Sequence, residues 1–163
     1  MEKWSEGSIE LAYLINPAFS ATLIYHTIKE YSKSKEEGMP FSLVYLVLPI
    51  LLHKNTRERV GSKKNMVNWL QDNADILIGF SKRAKSLIDY TNEAIEFLLS
   101  RGVIKIVKTN LQLASKLSQS KIDEQSESDS EIKDCYKKAE HLGRWFVKMK
   151  TEENVYIAWG IKP

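Results

Sequence analysis

The chain has 163 residues, of which 43% are hydrophobic and 28% charged. That is enough apolar material for one ordinary domain with its own core, so wholesale disorder is excluded and no disulfide or metal is needed for stability. Lysine and arginine number 24 against 21 acids, and the resulting net charge of +3 is too mild to announce a nucleic-acid ligand.

Cys135 is the one cysteine, so no intrachain disulfide can form. His26, His53 and His141 sit at spacings that match no metal motif, and no metal or other cofactor is expected. No glycine-rich phosphate loop and no nucleophile-elbow pattern occurs. Residues 1–7 are polar and charged rather than signal-like. The longest apolar run, residues 43–52, contains Pro49 and is far too short for a membrane span. The expectation is a cytoplasmic protein without a membrane segment, in a binding role rather than an enzyme.

In chain order, Asn16-Pro17 predicts a capped helix start, and Ala21, Ile24, Ile28 and Tyr31 carry the helix to about residue 35. Residues 36–40 break it. The apolar run 41–52 predicts a short buried helix kinked or ended by Pro49. Residues 54–64 read as a polar basic connector, and residues 65–71 as a short helix with Met66, Trp69 and Leu70 on one side. Asn73 is placed to cap a helix over residues 74–89, with Thr91 capping the next. Gly102 ends that second helix. The β-branched residues Val103, Ile104, Ile106 and Val107, then Leu111 and Leu113, predict a β-hairpin turning at Thr109-Asn110. Residues 115–130 are rich in serine and acid and read as a solvated linker. Ile132, Cys135, Tyr136, Ala139, Leu142, Phe146 and Met149 form the stripe of a strong helix over 131–150. Thr151 caps a last short helix. The expected fold is mainly α with a small β-hairpin, a helical domain with a winged-helix-like element. The expected division is 1–114, the linker 115–130, and C-terminal helices 131–163 packing back on the first part.

The strings NPAFSATLIYHTI at 16–28, LVLPILLHKNTR at 46–57, WLQDNADILIGFSKRAKSLIDYTNEAIEFLLSRG at 69–102, HLGRWF at 141–146 and WGIKP at 159–163 have an order and spacing that resemble a known family. It is the small middle component of bacterial three-component ABC-ATPase conflict systems, including Lamassu-type anti-phage and anti-plasmid defence. The resemblance implies a helical, winged-helix-bearing and non-enzymatic subunit. Its implied partners are an SMC/Rad50-like ABC ATPase and an effector, often a nuclease. No residue-level site map comes with it.

Two candidate sites follow from the residues. Lys54, Arg57, Arg59, Lys63 and Lys64 form a cationic run suited to phosphate, and the alternative function is a winged-helix DNA-binding regulator using residues 54–64. Arg144, Trp145, Tyr156 and Trp159 are candidate partner anchors, because Arg and Trp are enriched at interface hot spots. The helix before the hairpin carries Glu93 and Glu96, the wrong sign for a phosphate-lined groove. The three histidines and Cys135 lie beside apolar residues, and structural roles are expected for all four.

Overall fold

A computed structural model describes residues 16–61, 63–115 and 130–162. The acidic serine-rich run thus lies outside the described residues except for Ser115 and Ser130, as does the polar N-terminus. The protein is mostly helical with a small three-stranded antiparallel sheet.

Helix α1, Pro17–Ser32, is the central element. Asn16 caps it by accepting from the Ala18 amide at 3.0 Å, and Pro17 fills the first position, where no N–H is needed. Almost every side chain from Phe19 to Ile28 is buried, so α1 has no solvent stripe. Its two threonine hydroxyls are satisfied locally, Thr22 donating to the Ala18 carbonyl at 2.8 Å and Thr27 to the Leu23 carbonyl at 3.0 Å, whereas the buried Ser20 hydroxyl has no hydrogen-bond partner among the described residues. The Thr27 hydroxyl also lies 3.3 Å from the Ala139 carbonyl of helix α7, Ser130–Val147. Gly143, one turn further along α7, faces the α1 backbone so closely that a Cβ there would meet the Thr27 carbonyl oxygen at 2.5 Å.

Strand β1, Met39–Pro40, follows α1, then a 3-10 turn over Phe41–Leu43 and helix α2, Val44–Leu51. α2 is almost wholly buried, and Pro49 stands in its last turn. Helices α3, Lys54–Arg59, and α4, Met66–Asp72, come next. The region expected to hold one helix over 74–89 is divided. A 3-10 turn at Ala74–Leu77 is separated from α5, Phe80–Ser86, by Gly79 with φ +74°. Helix α6, Ile88–Ser100, then starts earlier than expected. Thr91 is therefore not a cap: it lies fully buried within the first turns of α6. The local signal was a good capping residue; burial of Leu87, Ala94 and Leu98 decided where the chain turned.

The hairpin is present as β2, Ile104–Val107, and β3, Asn110–Leu113. Its turn falls on Lys108-Thr109, one residue before the expected site, with Lys108 at φ 58°. β1 pairs with the other side of β3, giving the order β1-β3-β2. Two residues of strand are too short for a sequence signal. The order, with α1 before β1 and α6 before the hairpin, is compatible with a winged-helix arrangement. Helix α8, Glu152–Ala158, is capped by the Thr151 hydroxyl.

The core runs from α1, α2 and α6 to an aromatic cluster that ties α4, α5, α7 and α8 together. Trp69 lies 4.9 Å from Trp145 and 6.1 Å from Trp159, and Phe80 lies 4.8 Å from Trp159, centroid to centroid.

Candidate functional site

The segment 54–64 is a wall of the molecule rather than a connector. Its first half is α3, and its backbone carbonyls are occupied by side chains from elsewhere. Trp69 donates to the Arg59 carbonyl at 2.8 Å, Trp145 to the Lys64 carbonyl at 3.1 Å, and Lys138 to the Val60 carbonyl.

The five candidate cations part company. Arg57 is only 1% exposed, so it has no surface to offer a phosphate. Its guanidinium donates to the Leu51 carbonyl at 2.9 Å and to Glu131 at 2.8 Å, and lies 3.6 Å from Asp134. It thereby fastens the start of α7 to α3. Arg59 is bonded to Asp75 at 2.8 Å, and this hydrogen bond holds the Asp75 carboxyl below its usual range. Lys64 pairs with Asp72, and Lys54 lies 3.8 Å from Glu58. Lys63 is exposed beside them. The cluster that looks basic in sequence is thus interleaved with acids from α3, α4, α7 and the turn after α4. Those acids lie outside the run, apart from Glu58, and sequence spacing could not bring them in.

The four candidate anchors divide in the same way. Trp145 and Trp159 are 2% and 1% exposed, and both belong to the aromatic core. The Trp159 indole N–H points at the Met66 sulfur at 3.3 Å. Tyr156 is half-buried and its hydroxyl donates to the Ser42 carbonyl; burial first, then Glu152 and Tyr45, push its pKa up to about 12. Arg144 is exposed over half its side chain and reaches Glu30 at 3.3 Å. Burial alone would raise the Glu30 carboxyl, but bonds and charges from Lys33 and Arg144 outweigh it and hold the group below its ordinary value.

Among the histidines, His26 lies beside an acid, with Nδ1 3.5 Å from Glu140. It is also stacked on Tyr136 at 5.0 Å and lines neither cavity described below. Burial, and then the charge of Lys29, lower its pKa to about 4, with Glu30 opposing. The ring is neutral in the fold, whereas the unfolded chain protonates it below about 6.5. Stability is therefore expected to fall as pH drops from about 6.5 to about 4, by about 2–3 kcal/mol from this group. Denaturation of the parent and of His26→Gln across that window checks this, since the variant should lose that part of the slope. Cys135 is buried, in keeping with an inert thiol.

The described surface includes two cavities of different character. One, of about 340 Å³, is polar and is bounded by Tyr31, Lys35, Asn110, Lys150 and Glu153. The other, of about 280 Å³, is an apolar groove lined by Tyr45, Leu46, Ala84, Ile88, Tyr156 and Ile161. The outward face of α6 carries Asp89, Asn92, Glu93 and Glu96, all exposed. These acids oppose a nucleic-acid duplex at the helix that would have to lie against it. Among the described residues, no group of three His, Cys, Asp or Glu is placed to hold a metal ion, and no helix is long and apolar enough to cross a membrane.

The geometry is that of a packed helical body in which Arg57, Trp145 and Trp159 serve internal joints. Residues 4–163 match the family model described as ABC-three component (ABC-3C) system Middle Component 3, and the chain belongs to that family. No curated protein and no solved structure matches it.

Proposed function

We propose that this middle component is a non-catalytic adaptor in a prokaryotic anti-phage or anti-plasmid defence complex of the Lamassu kind. It bridges an SMC/Rad50-like ABC ATPase and an effector, in this reading a nuclease. The observation that carries the proposal is family membership over nearly the whole chain, since a middle component has other components to meet. The apolar groove and the exposed Ile78, Ile157 and Ile88 supply surface for such contacts. The mechanism is mass action: docking on the ATPase in one nucleotide- or DNA-bound state shifts the population in which the effector is held.

The test is reconstitution from purified components, treated with nuclease and read by size-exclusion chromatography with mass determination. A complex containing this chain, the ATPase and the effector is expected in the treated sample. If neither component binds, or if the pure chain turns over a substrate by itself, the proposal is wrong.

A further inference from the structure

The sheet has two outer edges, and they differ. β3 is the middle strand, and its hydrogen bonds alternate sides. The Phe41 amide donates to the Thr109 carbonyl at 2.9 Å on the β1 side, and the Ala114 amide donates to the Val103 carbonyl at 2.8 Å on the β2 side. In an antiparallel ladder every second residue turns its N–H and C=O to the same neighbour. With Val103 bonded to Ala114, the residues of β2 that bond inward are Lys105, opposite Gln112, and Val107, opposite Asn110. Ile104 and Ile106 therefore direct their amides and carbonyls away from the sheet.

The β1 edge is closed by its two-residue length and by Pro40, which has no N–H to offer. The β2 edge contains neither proline nor glycine over Ile104–Val107. Lys105 is exposed and Ile106 is 50% exposed. Arg101 and Lys108, both exposed, flank the strand, with Arg101 laid over Phe97 at 3.6 Å. Residues 101–115 contain three cations and no acid. This is the opposite of the segment 54–64, where carboxylates interleave with the cations.

We propose that the outer edge of β2 receives an extended, acidic segment of a partner protein as a fourth strand. Main-chain bonds to Ile104 and Ile106 would supply affinity, and Arg101, Lys105 and Lys108 would select acidic side chains. The same lysines argue against a second copy of this chain, because two β2 edges brought together would set like charges side by side. The acids on α6 argue against a duplex. The proposal rests on the adaptor reading above, and names where one component of the complex attaches.

The experiment is hydrogen exchange resolved to single amides, on the full chain alone and in complex with the purified ATPase or effector of its own system. In the free chain the Ile104 and Ile106 amides should exchange fast and those of Lys105 and Val107 slowly. In one of the two complexes, Ile104 and Ile106 should slow by about 100-fold or more. Ile106→Pro removes an outward N–H together with the isoleucine side chain and touches no inward ladder bond, so the variant should keep the parent's fold by circular dichroism and melting, yet bind about tenfold or more weakly than both the parent and Ile106→Ala, which keeps the N–H. Lys105→Glu/Lys108→Glu should weaken binding similarly without touching the edge amides. A complex that forms with the two amides unchanged, or that Ile106→Pro joins as tightly as the parent, overturns the strand addition and leaves the adaptor role standing. Protection by duplex DNA alone, by self-association, or by the chain's own acidic run (revealed when residues 117–128 are deleted) overturns it in favour of that occupant. If no complex forms with either component, both readings fall.

Discussion

Gly143→Ala is expected to destabilise this protein by about 2–3 kcal/mol, against the usual preference of helices for alanine. On an isolated helix the same change would stabilise by about 1 kcal/mol. Here the new methyl would sit 2.5 Å from the Thr27 carbonyl oxygen, 3.0 Å from the Glu30 Cβ and 3.2 Å from the Tyr31 amide nitrogen. Two of these three atoms are backbone of the central helix and cannot rotate away. To make room, α7 must lift from α1, which would lengthen the 3.3 Å contact between the Thr27 hydroxyl and the Ala139 carbonyl one turn away. The measurement is urea unfolding, in which the midpoint should fall while the slope stays constant. A variant as stable as the parent would mean that α1 and α7 do not approach this closely in solution.

Arg57→Leu is the second large effect, expected at about 2–3 kcal/mol. The substitution fills the volume but leaves the Leu51 carbonyl without its 2.9 Å donor. Glu131 and Asp134 lose their cation too, yet they are 37% and 40% exposed and can rehydrate, which keeps the loss below that of a fully buried pair. Arg57→Lys should recover little, because one ammonium cannot bond the Leu51 carbonyl and reach both carboxylates from the fork's positions. Hydrogen exchange should locate the damage at the first turns of α7, which Arg57 fastens. By contrast Arg59→Gln should scarcely alter stability, since its pair with Asp75 is exposed. Equal losses at the two arginines would contradict the burial that separates them.

That contrast shows where sequence reading stops. In the chain, Arg57 and Arg59 are two of five cations in one run, and nothing local separates them. What separates them is that Glu131 and Asp134, more than seventy residues later, pack against one and Asp75 meets the other at the surface. The tryptophans teach the same lesson. Trp145 stands next to the helix stripe, where a rotation of a few tens of degrees decides between anchor and core, and contact with Trp69 decides for core.

Local chemistry was sufficient for much else. The Asn16-Pro17 start of α1, the Thr151 cap of α8 and the hairpin after Gly102 all follow from backbone preferences of a few neighbouring residues. The mainly helical class follows from the apolar period, and the family could be recognised from the order of its strings. The sequence by itself thus determined the class of fold, the starts of α1, α4, α7 and α8, and the kinship of the chain. Only the tertiary structure decided which cations and aromatics face solvent, that Gly143 is a helix contact, and that β3 lies between β1 and β2, making β2 an outer strand. The reason is physical: capping and periodicity act over one or two turns, whereas burial and charge pairing depend on partners that only folding brings near.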